Sequence, residues 1–116
     1  MSGCSKKKRE MVLNKFDGKC AYCGCDLNLY SLNIDHFISK NSGGTLIKEN
    51  CFPACCYCNS KKYDYDLETF RLILEKDILK DNVRGRAVKQ HYNKFYKNNR
   101  ITFYFETLKG ENKNGN

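Results

Sequence analysis

Two C-x-x-C pairs, Cys20 with Cys23 and Cys55 with Cys58, are the residues whose spacing says most about chemistry. Such a turn brings two thiolates onto one side of an ion, and two turns close a tetrahedral zinc site. With all four positions filled by thiolate there is no room for substrate, so a metal held this way serves the fold. Between the pairs stand Asp35-His36, Gly43-Gly44 and Asn50, and Asn59 follows Cys58 directly, with Lys61 and Lys62 just beyond. An imidazole is neutral near physiological pH and can act as a general base. Carboxylate and amide oxygens are the ligands that magnesium or manganese prefers. His36, Asp35 and Asn59 therefore combine a base with oxygen donors for a hard cation, next to a structural metal.

The remaining cysteines are less easily placed. Cys25 and Cys56 adjoin the favoured ligands, but a Cys23-Gly24-Cys25 turn has a poorer bite than Cys20 with Cys23, and the same reasoning prefers Cys55 over Cys56 as the partner of Cys58. Cys4, Cys25, Cys51 and Cys56 are expected as free thiols, with Cys51 buried. Disulfide pairing of all eight cysteines is the alternative, and it requires an oxidising compartment. The opening MSGCSKKKRE has no apolar stretch behind it, and runs such as Leu72-Ile73-Leu74 are too short to span a membrane or direct secretion. The expectation is an intracellular, cytoplasmic protein without membrane association, or a nuclear one if the source is eukaryotic or a virus of eukaryotes.

The elements that must position these residues are short. Residues 5–16 read as a helix with Val12, Leu13 and Phe16 on its apolar side, stopped by Asp17-Gly18. Lys6, Lys7, Lys8 and Arg9 crowd its start, where cations oppose the helix dipole, so an external phosphate explains them better than helix stability does, with a solvated, frayed terminus or a nuclear-import address as the alternative. The stretch 31–37 alternates as a strand that delivers Asp35 and His36 at its end, and a second strand falls around 50–53. Ala54 to Lys62 opens a helix. From Asp66 onward Leu67, Phe70, Ile73, Leu74 and Ile78 recur at helical intervals, a further helix covers 86–97, and Ile101, Phe103 and Phe105 alternate as a late strand. His91 falls on the aromatic side of that last helix and reads as packing, as do Tyr57, Tyr63 and Tyr65. Residues 110–116 read as a disordered polar tail.

A chain of 116 residues is one small domain, which buries a limited share of its surface and gains from a metal staple. Lys and Arg number 21 against 13 Asp and Glu, a net charge of +8, which points to a polyanion. Lysine outweighs arginine, and lysine meets phosphate as a point charge, so the excess favours backbone contact over base reading.

The ordered run C-A-Y-C, I-D-H-F-I-S-K-N-S-G-G, E-N-C and C-C-Y-C-N-S-K-K, from Cys20 to Lys62, resembles the HNH nuclease family, also called the ββα-metal or His-Me finger. The resemblance implies an α+β fold: a small zinc-stapled ββα-metal finger with flanking helices and a short late strand. The expected organisation is one domain over 1–109, with the motif core at 20–62 and a helical C-terminal extension at 66–108. It implies a divalent-metal-dependent endonuclease that hydrolyses DNA phosphodiester bonds to leave a 5′-phosphate and a 3′-hydroxyl. His36 would deprotonate the attacking water, and Asp35 and Asn59 would hold catalytic magnesium or manganese. Asn50 would brace the loop between the strands, and Cys20, Cys23, Cys55 and Cys58 would hold structural zinc. Lys61 and Lys62 would contact substrate phosphate, aided by Lys6, Lys7, Lys8, Arg9, Arg84 and Arg86.

Three positions depart from the family pattern. Asn59 stands where histidine is frequent, Ser39 where proline is frequent, and Cys51 where an apolar residue is usual. Loss of the proline implies a looser loop after His36. The alternative to a nuclease is a non-catalytic zinc-ribbon module that binds nucleic acid or protein. RNA stays open as a substrate, a monomer and a homodimer are both compatible with the sequence, and the small size suits a phage or mobile element by analogy alone.

Overall fold

A computed structural model of the chain describes residues 5–45 and 47–108. The expected tail at 110–116 and Cys4 lie outside those residues.

Helix α1 spans Lys6–Asn14, and the Ser5 hydroxyl accepts from the Lys8 amide at 3.1 Å to cap its start. Strands β1 (Asn33–His36) and β2 (Cys51–Ala54) pair antiparallel, with His36 opposite Cys51 and Asp35 opposite Phe52. Helix α2 (Cys56–Lys62) follows β2 at once, with Cys55 as its N-cap. This is a ββα unit, and α2 packs on both strands. Helices α3 (Leu67–Leu79) and α4 (Val83–His91) form a hairpin capped by Asp66 and Asn82, whose side chains accept from the amides three residues on.

The C-terminal part differs in detail from the sequence reading. The helix expected over 86–97 ends at His91, and the chain turns through Asn93–Phe95 into a hairpin of β3 (Tyr96–Lys97) and β4 (Arg100–Ile101). Asn98 and Asn99 both adopt positive φ, at 54° and 64°, which closes a two-residue turn. The late strand therefore stops at Ile101, and residues 104–108 are helical. Phe103, just before this helical turn, and Phe105, within it, are both buried all the same.

One aromatic core joins the two halves. Phe103 lies parallel to Phe70 at 5.1 Å and meets Tyr22 edge-on at 5.4 Å, while Phe105 meets Phe52 edge-on at 5.2 Å. Backbone bonds reinforce it: the Tyr104 and Phe105 amides donate to the Tyr22 and Ala21 carbonyls, and the Ala21 amide donates to Pro53. Buried Arg71 on α3 reaches the Ile101 carbonyl and both carboxylate oxygens of Glu106. A smaller cluster of Val12, Leu32 and Cys51 docks α1 on β2, and Cys51, fully buried, serves as a small apolar side chain there.

Candidate active site and metal centre

Asp35 and His36 close β1, and Asn59 occupies the middle of α2. The three line one cleft of about 470 Å³, together with Ile34, Ser39, Lys40 and Tyr63. His36 is half-buried. Burial lowers its pKa below the ordinary 6.5, and the nearby charges of Lys40, Lys8 and Lys62 push the same way against the opposing pull of Asp35. These effects bias the imidazole toward its neutral form. Lys8 belongs to α1, so the basic first helix lies close enough to act on the cleft electrostatically.

Asp35 is buried. Its carboxylate accepts from the Tyr22 hydroxyl at 2.5 Å and pairs with the Lys62 ammonium at 3.4 Å. Desolvation raises its pKa above 3.8, partly offset by the Tyr22 bond and the Lys62 charge. The expectation that Lys62 contacts substrate phosphate is corrected here. Lys62 is fully buried, and its Nζ also donates to the His36 and Phe37 carbonyls at 3.3 and 3.0 Å. An ammonium enclosed this way has no surface left for a phosphate. Lys61 instead rests its Nζ 5.4 Å from the centre of the Tyr57 ring. Arg9 is also turned inward, donating to the Leu29 and Leu32 carbonyls, whereas Lys6 and Lys7 are exposed. Arg86 is exposed but bonds to the Asp81 carbonyl and carboxylate, while Arg84 is exposed.

The loop after His36 is tied down. Asn50 accepts from the Ile38 amide at 2.8 Å and donates to the Ile38 and Thr45 carbonyls at 2.9 and 2.8 Å, and its own carbonyl accepts from the Phe37 amide. Ser39, expected to loosen this loop, is buried, and its carbonyl accepts from the Gly44 amide. Gly43 has φ of 93°, and a Cβ on Gly44 would fall 1.7 Å from the Ile38 carbonyl oxygen, so only glycine permits that close approach. Sequence reasoning passed over Tyr22 and read Tyr63 as packing. Tyr22 carried a signal in its place between the first two paired cysteines, while Tyr63, the C-cap of α2 with φ of 48°, lines the cleft.

Residues 20–64 match the HNH endonuclease family. No curated protein matches the chain. The HNH segment contains both cysteine pairs, β1, β2, α2 and every cleft residue named above. The match points to nuclease chemistry on nucleic acid.

Around the HNH segment's cysteines the donors converge. Cys23 and Cys55 Sγ are 3.8 Å apart, the edge length of a zinc–thiolate tetrahedron with Zn–S bonds of about 2.3 Å. The Cys55 amide donates to Cys20 Sγ and the Cys58 amide to Cys55 Sγ, both at 3.4 Å, an arrangement that steadies thiolates. Shared hydrogen bonding among the sulfurs, led by Cys23, lowers Cys20 to about 7, and Cys55 is lowered too, with Cys20 as the main cause. Cys23 is raised, chiefly by Cys20, and Cys58 is raised, chiefly by burial. A cluster that already favours thiolate at two sulfurs fits a structural metal such as zinc. His91, read as packing from sequence, stands at this cluster, as does exposed Cys25. Cys56 is exposed and belongs to neither donor group. Among the described residues no helix is long and apolar enough to cross a membrane.

Proposed function

We propose that the chain is a divalent-metal-dependent endonuclease that hydrolyses DNA phosphodiester bonds, with His36 as general base. One observation carries the reading: a half-buried imidazole of lowered pKa lines the same cleft as a carboxylate and an amide from the facing helix. Neutral His36 accepts a proton from water as its oxygen bonds to phosphorus, the P–O3′ bond breaks, and the departing O3′ takes a proton from solvent, so a 5′-phosphate and a 3′-hydroxyl result. Asp35 and Asn59 fit magnesium or manganese by donor type, and Lys62 shares the Asp35 carboxylate with whatever cation binds there. Such an ion, when bound, neutralises charge on the phosphoryl oxygens. Asn50 positions the loop behind His36. Exposed Lys6 and Lys7, with Lys8 and Lys40 near the imidazole, hold the nucleic-acid backbone. Cys20, Cys23, Cys55 and Cys58 hold structural zinc.

The test is incubation of supercoiled plasmid with magnesium or manganese. Wild type converts it to open or linear product, and His36→Ala, still folded and DNA-binding, does not. Equal cutting by both proteins overturns the base assignment. Binding without cutting by wild type establishes the zinc-ribbon alternative, and cleavage of RNA alone moves the substrate class.

A further inference from the structure

His91 lies outside the HNH match, at the end of α4, yet its Nε2 is 3.7 Å from the sulfur of Cys55 and 3.7 Å from that of Cys58. Two ligands of one tetrahedral zinc, a nitrogen near 2.05 Å and a sulfur near 2.3 Å, stand roughly 3.6 Å apart. The imidazole therefore sits at ligand-to-ligand distance from both thiols of the second pair. The ring is fixed in that place: it stacks on Tyr57 at 4.0 Å and 27°, and meets Tyr92 edge-on at 4.9 Å. Tyr92 in turn holds its hydroxyl 3.0 Å from Cys58 Sγ. The donor atoms of Cys23, Cys55, Cys58 and His91 all lie within 4.8 Å of one another, which makes a complete three-thiolate, one-imidazole set. Cys20 falls in a different group, with Cys23, Cys25 and Cys55.

We propose that His91 is an exchangeable ligand of the zinc centre. In the all-cysteine state its Nε2–H donates to the Cys55 and Cys58 thiolates. Where Cys20 does not ligate, His91 would supply the fourth donor through Nε2, with its ring hydrogen on Nδ1. The ion is of the tetrahedral, borderline-soft class: zinc, or cobalt as its optical reporter. Its consequence is structural. The metal that closes the two cysteine turns also fastens α4, so finger and helical extension share one staple. This assignment stands independently of the nuclease reading.

The test uses the full chain and reads bound metal. Cys20→Ser is expected to retain one zinc, and in the cobalt form a tetrahedral spectrum with weaker thiolate-to-cobalt charge transfer. Adding His91→Ala should abolish metal loading, and His91→Cys in place of the alanine should restore it. A folded but metal-free Cys20→Ser protein overturns the proposal, as does metal retention in Cys20→Ser/His91→Ala. If Cys20→Ser yields no folded protein, the cysteine-complete chain decides. There His91→Ala should weaken zinc affinity at least about tenfold in transfer to a chromogenic chelator, the usual loss for a residue bonded to a metal ligand. Equal affinity overturns the proposal.

Discussion

The Tyr22 hydroxyl donates to Oδ2 of Asp35, joining the first cysteine turn to the floor of the cleft. Tyr22 lies between Cys20 and Cys23, and its ring is walled in by Phe70, Phe103, Phe105 and Phe52. The first cysteine turn and the aromatic core therefore fix where the carboxylate stands. Tyr22→Phe keeps the ring contacts and removes this bond. A hydrogen bond to a charged partner is worth about 1.5–3 kcal/mol, and urea denaturation should register a loss of that size. Without the phenol the Asp35 pKa climbs further above its already raised value, since the Tyr22 bond is one of the forces holding it down. Manganese titration should then show weaker binding that recovers as the pH is raised. Unchanged binding at every pH would separate Tyr22 from the cleft.

If His36 is the general base, it should set the acid limb of activity. Its pKa lies below 6.5 because burial and the charges of Lys40, Lys8 and Lys62 disfavour the imidazolium. The cleavage rate should rise through an apparent pKa under 6.5 and level off above it, and the His36 Cε1–H resonance should titrate at the same midpoint. The sign for stability follows from linkage: the unfolded chain binds this proton more readily than the folded one, so the contribution is full above 6.5 and is lost as the pH falls through the folded value. Lys40→Gln should move the midpoint upward. A rate midpoint above 6.5 would contradict the environment described.

Lys62 should behave as a core residue. Removing one member of a buried ion pair costs roughly 3–5 kcal/mol, because the partner is left charged and alone. Lys62→Met should lose stability on that scale in denaturant titration, with the His36 and Phe37 carbonyls also deprived of their donor. Lys6→Gln and Lys7→Gln, on the exposed side of α1, should stay within about 0.5 kcal/mol of wild type. Their DNA affinity should fall and depend less steeply on salt, because fewer counterions are released when fewer phosphates are neutralised. A stable Lys62→Met protein with weakened DNA binding would return that side chain to the surface.

The ββα unit was legible in the sequence because each of its parts has a local signature. The C-x-x-C turns, the Gly43-Gly44 pair and the alternation into Asp35 and His36 act over a few residues and need no distant partner. What escaped depends on long-range packing. Lys62 reads as a surface cation until α2 is laid on β1, which turns its ammonium toward Asp35, 27 residues earlier. His91 reads as one aromatic neighbour among several until the α3–α4 hairpin folds back onto the second cysteine pair. The extent of the late strand failed for a different reason. Ile101, Phe103 and Phe105 are all buried, so the periodicity was right about the core and silent on the backbone that takes them there.

Zinc removal tests whether the extension is an independent unit. Structural zinc supplies folding free energy directly, so a chelator that takes the metal takes that contribution with it. The core around Tyr22 is shared, since Phe70 from α3 and Phe103 and Phe105 from the C-terminal segment pack on the turn that carries Cys20 and Cys23. A zinc-selective chelator in excess magnesium should therefore abolish the helical circular dichroism of α3 and α4 together with the near-ultraviolet signal of the finger, in one transition. Cys58→Ser should do the same, because its sulfur is fully buried and bonded to Tyr92, while exposed Cys56→Ser should change neither signal. If the α3–α4 helical signal outlasts the loss of zinc, the extension folds on its own core of Phe70, Leu74, Ile78 and Val88, and the metal holds the finger alone.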